Sequence, residues 1–482
     1  MSPQNTLSED DLAGFESLVA RLRLLSADDP ARVRAEKLAD IFLREGRRRR
    51  RQAAHDRARV SDAAVIAGTA TGATDRREDA PLPGTAGPGP AGTLIRAHHC
   101  YVCKSTYRQV DAFYHRLCPS CAAENTARRT LGTDLRGRRA LLTGGRVKIG
   151  FQLALMMLRD GADLTVTSRF PADTLRRFRA VPGSDAWWDR LRVVGIDLRD
   201  PRQVLGLCEQ LHAEGQPFDI LVNNAAQTVR RLPEAYALLA AGEEDGLPEG
   251  ARVLHAPGFR PMPALAPAWP TAGLETASRI PGPRRTAPPG AELPQAAPPP
   301  VALPRQVLPA DADEAGLLPD TAPDNSWSAQ LGSLDPAEVL EVQLVNALAP
   351  ALLCDRLLPL LLASPYPRRY IVNVTAVEGR FAVRNKTQDH PHTNMAKAAL
   401  NMLTRTSAVG LARQGVHMCA VDTGWITDES PAPVKARKAA AGFRTPLDVV
   451  DGAARIYDPI VRGEAGAPVS GVFLKDYREA AW

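Results

Sequence analysis

No run of 18 apolar residues occurs in the 482-residue chain, so an ordinary membrane-spanning helix is not expected. The N-terminus, "MSPQNTLSEDDLAGF", lacks the apolar core of a signal peptide. A cytoplasmic protein without a membrane partner is the expectation. A disulfide framework is also missing. There are seven cysteines, an odd number, and four of them fall within 22 residues. That pattern suits a metal site in a reducing compartment. Net charge is thin, +6 over the whole length, and no solenoid repeat is visible. Hydrophobic residues make up 44%, ample for a core, and the length allows two or three domains.

Residues 1–59 read as two amphipathic helices. Leu12, Phe15, Leu18, Val19, Leu22 and Leu25 recur at helical spacing, Ser8 with Asp11 suits an N-cap, and Pro30 stands near the start of the second helix. Arg47 to Arg51 form an unbroken run. Such a run contacts an acidic or nucleic-acid partner, or it is a solvated helix end leading into a linker. Residues 60–92, rich in Ala, Gly, Thr and Pro, bury little and are expected to be a disordered linker.

Residues 93–130 carry Cys100-x2-Cys103 and, fourteen residues on, Cys118-x2-Cys121. Each pair turns two thiolates onto one ion, and two pairs close a tetrahedral Zn(II) shell with no open position. A structural zinc ribbon is expected, with Tyr101, Tyr107, Phe113 and Tyr114 as its small core.

From residue 131 to 482 the pattern is α/β, interrupted at about 231–324 by a proline-rich insertion holding roughly half of the 41 prolines. The insertion is expected to be extended and mobile, apart from a short helix near "PEAYALLAAGEE". "RRALLTGGRVKIGFQLALMMLRDGADLTVTSRF" reads strand, glycine turn, helix, strand. A doubly wound, Rossmann-type parallel sheet follows from it, with a pyrophosphate on the helix N-terminus.

Several stretches, in order, resemble the short-chain dehydrogenase/reductase family. Its glycine turn, Thr-Gly-x-x-x-Gly-Ile-Gly, is met by Thr143, Gly144, Ile149 and Gly150, with Lys148 at the middle glycine. "LRVVGIDLRD" supplies Asp197-Leu198, and "FDILVNNAAQ" supplies Asn223, Asn224, Ala225 and Ala226. Asn346 falls in the long helix, "RRYIVNVTAVEG" on the strand that ends in the family's serine pair, and "TNMAKAALNML" on the catalytic helix. Gly424 and Thr427 lie in the cofactor loop.

The resemblance implies a nicotinamide cofactor held by these residues, hydride transfer to or from a carbonyl or enone, and a homo-oligomer built through two long helices. It also exposes two departures. The catalytic lysine is Lys397 and the asparagine Asn346, but the serine pair becomes Thr375-Ala376 and the tyrosine becomes Thr393. An aliphatic hydroxyl is a far weaker acid than a phenol. Three readings stay open. One is a reductase whose acid is displaced to His392, to His390, or to a tyrosine such as Tyr366 or Tyr370. Another is a catalytically silent NADP-binding regulator. The third is a reaction needing little acid there, such as enoyl reduction. The second strand ends in Ser168-Arg169 without a carboxylate, and Arg146 and Lys148 add charge in the turn, so NADP(H) is favoured over NAD(H). The small-molecule substrate is not named by the sequence; the small, basic stretch "ESPAPVKARKAAAGF" hints at an acidic one.

Overall fold

The computed structural model describes residues 7–82, 89–260, 312–319, 322–383 and 386–482. The chain opens with α1 (Glu9–Arg23) and α2 (Pro30–Ala67). Ser8 and Asp11 form a reciprocal capping box on α1, and Asp29 caps α2 one residue before Pro30. The apolar stripe of α1 finds no core among the described residues, for Leu12, Phe15 and Leu18 are exposed.

Two expectations change here. The arginine run is not a helix end, because α2 continues sixteen residues beyond Arg51. Nor is the segment after it a linker over its described part. Asp62 on α2 accepts the backbone N–H groups of Ile95 and Arg96 at 2.6 and 3.1 Å. Thr69 and Thr71 are buried, and Arg76 donates to the carbonyls of Thr445 and Leu447 at 2.7 and 2.5 Å. Hydrogen bonds to distant elements fix a segment whose composition alone predicts disorder.

β1 (Pro90–His99) and β2 (Thr106–Asp111) then form an antiparallel hairpin, followed by α3 (Pro119–Arg128). Tyr107, Phe113 and Tyr114 fill its core as expected, joined by Leu94, Val110 and Leu117. Tyr101 does not join them as a core residue; it is only half-buried and faces the cavity described below.

The remainder is the doubly wound sheet. In chain order it comprises β3 (Arg139–Thr143), α4 (Lys148–Arg159), β4 (Asp163–Ser168), α5 (Pro171–Arg179), β5 (Leu191–Gly195), α6 (Pro201–Glu214) and β6 (Ile220–Asn223). The insertion contributes α7 (Ala237–Gly242) and β7 (Arg252–His255). After it come α8 (Pro336–Gln343), α9 (Ala349–Leu362), β8 (Arg369–Thr375), α10 (Pro391–Ala412), β9 (Val416–Asp422), α11 (Ala432–Ala440), α12 (Val449–Glu464), β10 (Phe473–Lys475) and β11 (Arg478–Ala480).

The nine strands run β11-β10-β9-β8-β6-β3-β4-β5-β7, all parallel except the last hairpin β10–β11. Central strands are apolar on both faces, as a parallel sheet covered by helices requires. One core joins α4, α5 and α12 to the sheet; the other joins α6, α9 and α10. The insertion is therefore not wholly extended. Its first part adds a parallel edge strand beside β5 and contains the expected short helix, while 261–311 lie outside the described residues. Between α8 and α9 a π-helical turn, Leu344–Leu348, carries Asn346. The composite helix Pro336–Leu362 is long and apolar enough to cross a membrane by composition. Val342, Leu353, Leu357 and Leu361 are buried in the sheet's packing, which accounts for that hydropathy.

Candidate active site and cysteine cluster

Strand order reverses between β3 and β6, and at the carboxyl ends of these strands lies a cavity of about 1010 Å3. A doubly wound sheet binds its ligands at this switch point. One end of the cavity is the glycine turn. Gly144 has φ +70°, and a Cβ there would lie 2.9 Å from Ala225. A Cβ on Gly150 would lie 2.1 Å from the Gly144 carbonyl oxygen, so the helix can begin there only without a side chain. Asn224 ties the turn down, donating to the Thr143 and Gly144 carbonyls at 3.0 and 2.9 Å.

Lys148 has φ +55°, a left-handed conformation that costs a side-chain-bearing residue of order 1 kcal/mol. Its ammonium pairs with Asp79 at 2.8 Å. Burial works against the charge, but Glu429 and Asp79 outweigh it and raise the pKa. Arg146 pairs with Asp173 at 2.8 Å and stacks over Phe170. Two of the three cations expected at the phosphate end are thus already neutralised by the protein. Arg169 is different. It lines the cavity at the end of β4, lies over the rings of Phe170 and Tyr236, and pairs with no carboxylate among the described residues. Ser168 is buried and receives the Phe170 N–H and the Thr174 hydroxyl. Asp197 also lines the cavity, bound to Arg199 at 2.5 Å.

The cavity is also lined by Thr375, Lys397, Asp422, Gly424 and Thr427. The Lys397 ammonium donates to the Val374 carbonyl at 2.9 Å. Burial lowers its pKa to about 8, with Glu378 acting in the other direction. Burial raises the Asp422 carboxyl to about 6, although Lys475 lies 3.7 Å away. Thr427 donates to Glu429 at 3.0 Å.

The cavity thus gathers Gly144, Arg146, Lys148, Ile149, Gly150, Ser168, Arg169, Asp197, Leu198, Ala225, Thr375, Lys397, Gly424 and Thr427. Five expected residues do not line it. Thr143 sits beneath, its hydroxyl accepting from the N–H groups of Asn224 and Ala225. Asn223 donates to Asn373 at 2.8 Å inside the core. Asn346 clamps the backbone of Gln227, accepting from its N–H at 2.7 Å and donating to its carbonyl at 2.9 Å. Thr393 is buried with its hydroxyl unpartnered. His392 is 1% exposed, packed 3.7 Å from Glu338 and turned away from the cavity. The rotation of α10 instead presents His390 and Asn394. His390 adopts φ +42°, stacks on Trp327 with ring centres 3.9 Å apart, and bonds the Trp327 carbonyl at 2.9 Å. Burial lowers its pKa, which favours the neutral ring. Tyr366 and Tyr370 do not line the cavity either; Tyr370, at the amino end of β8, donates to Glu464.

Matching sequence models decide the family. A short-chain dehydrogenase model matches residues 138–237, and a model described as enoyl-(acyl carrier protein) reductase matches residues 317–448. The chain belongs to the short-chain dehydrogenase/reductase family. The gap between the two matches coincides with the insertion into this dehydrogenase domain. An uncharacterised protein of Acanthamoeba polyphaga mimivirus is 29% identical over 378 residues, covering 75% of this chain and 71% of its own. D-erythrulose reductase of Gallus gallus is 36% identical over 93 residues, covering 19% of this chain and 33% of its own. The Pseudomonas aeruginosa RhlG/NADP active-site complex superposes with a TM-score of 0.42 at 20% identity, covering 71% of this chain and 95% of that one.

Outside the dehydrogenase fold, Cys100, Cys103, Cys118 and Cys121 converge. Their sulfurs all lie within 4.8 Å of one another, with Cys103 and Cys118 at 3.6 Å. A tetrahedral ion with Zn–S bonds of about 2.3 Å needs sulfurs roughly 3.8 Å apart. The donor set fits such an ion and leaves no coordination position open.

Sequence reasoning named His390 as an alternative acid, and the cavity includes it; Tyr101, Asn394 and Asp422 were missed as cavity residues. For Tyr101 there was no signal, because the contact joins residues more than 300 positions apart.

Proposed function

We propose that the protein is an NADP(H)-dependent oxidoreductase that moves a hydride to or from a carbonyl or enone carbon. Arg169 carries the cofactor preference. It lines the cavity at the end of β4, where a carboxylate would repel a 2′-phosphate, and it forms no ion pair with a carboxylate among the described residues. Lys397 carries the chemistry: a buried ammonium in the cavity wall with pKa about 8, suited to hold a cofactor ribose. The bound nicotinamide supplies the hydride; Thr375, Lys397 and His390 border the space where its acceptor sits. A zinc ion held by the four cysteines braces the N-terminal module. The exposed arginine face of α2 meets an acidic partner.

A second reading has its own observation. With Thr393 and His392 turned into the core and alanine at position 376, neither usual hydroxyl reaches the cavity, which favours a silent NADP-binding regulator. NADPH oxidation by purified protein across a broad carbonyl and enone panel, alongside Lys397→Ala, separates the two. Turnover lost in the variant supports the enzyme. Tight NADPH binding with no turnover anywhere in the panel sinks it and leaves the regulator.

A further inference from the structure

The cysteine cluster and the nucleotide cavity share a wall. Tyr101 stands between Cys100 and Cys103, and its hydroxyl accepts the backbone N–H of Trp425 at 2.9 Å. Trp425 follows Gly424, which turns with φ +83°, and both line the cavity. The phenol therefore holds the loop that borders the cavity beside Asp422. A second connection runs through packing. Cys100, Cys118 and Cys121 belong to the same buried cluster as Ile426 of that loop, and Ile149 of the glycine turn packs against it. Thus the cofactor loop and the start of α4, both in the cavity wall, rest on the module that carries the thiols.

We propose that a metal ion on the four cysteines and a dinucleotide in the cavity bind with positive coupling, transmitted by Tyr101 as a positioning residue; this rests on the zinc and NADP(H) readings above. The physical reason is ordering entropy. The turn from Cys100 to Lys104 is closed by a Lys104 N–H to Cys100 carbonyl bond at 3.1 Å and puts Lys104 at φ +64°. Four thiols without a common ligand hold that turn weakly. An ion that joins them fixes the turn, Tyr101 and hence the Trp425 backbone. A dinucleotide arriving afterwards finds the loop already ordered. Linkage makes the effect reciprocal, so bound dinucleotide slows loss of the ion.

The test uses the full chain. NADPH is titrated by fluorescence against zinc-loaded and chelator-stripped protein, and zinc release to a chromogenic chelator is timed with and without saturating NADPH. Stripping is expected to weaken NADPH binding about fivefold or more, and NADPH to slow zinc release by a similar factor. Tyr101→Phe keeps all four thiols and one zinc per chain, but NADPH loses its effect on zinc release. The release arm needs only loaded protein, so it decides the matter even where stripped protein unfolds. Equal NADPH affinity with and without metal, or full coupling in Tyr101→Phe, overturns the inference while leaving the proposed function standing. Loaded protein that binds no NADPH overturns both, and a chain that takes up no zinc overturns the coupling and the zinc reading while leaving the oxidoreductase standing.

Discussion

Lys397 makes the residue scale quantitative. Its folded-state pKa lies below its ordinary 10.5, at about 8, because burial disfavours the ammonium. A cofactor that needs the charged form binds fully below pH 8 and loses affinity as pH rises through 8. NADPH titrations from pH 6 to 10 should show that break, and Lys397→Met should remove it. The same shift makes the fold more stable as pH rises from 8 towards 10.5, since the unfolded chain keeps its proton longer. The histidines divide by rotation. His392→Ala should cost about 2 kcal/mol in urea denaturation and leave NADPH affinity unchanged, because it empties a core site. His390→Ala should act on turnover with little effect on stability. In one dimension Lys397 was legible, but the residue facing it was not. Positions three and four residues before a lysine are equally near it on a helix. The left-handed His390 and the start at Pro391 set the rotation that chooses Asn394 over Thr393.

Among elements, close approach does what side chains do elsewhere. A Cβ on Gly379 would lie 2.7 Å from the Lys397 carbonyl carbon, so the turn after β8 reaches α10 only as glycine. Gly379→Ala should cost about 1–3 kcal/mol by denaturation. It should also weaken NADPH binding, because the displaced backbone carries Lys397. The central strands and their helices were readable from buried apolar runs such as "RALLT" and "RYIVNVT". β7 was not: "RVLH" has four residues, none of them buried, inside a proline-rich stretch. α2 was readable at its cap but not at its end, since Ala-rich sequence suits a helix and a linker equally. Arg44, Arg47, Arg48 and Arg51 share one face of it, with Gln52 and His55. Reversing Arg47, Arg48 and Arg51 to Glu should abolish low-salt binding to a polyanion and flatten its salt dependence, as read by fluorescence anisotropy.

At the scale of the molecule, the N-terminal module is built into the dehydrogenase domain. Arg129 binds Asp448 at 2.6 Å and Asp451 at 3.1 Å, Tyr114 donates to Asp451 at 2.5 Å, and Arg455 donates to Asn125 at 2.8 Å. Arg129→Met would leave two buried carboxylates facing each other, at a cost of about 3 kcal/mol. Calorimetry should show one lowered transition rather than a separate melting of the cysteine module. The junction was invisible in the sequence because it is made by pairs some 320 residues apart. The sheet itself ends in short strands on both sides, four residues in β7 and three in β11. Pro248 and Pro257 flank β7, and Arg252 stands exposed upon it. A long bare strand edge is a template for other chains, and here each edge is too brief to serve as one. The insertion that interrupts the domain therefore also shields it from edge-to-edge aggregation.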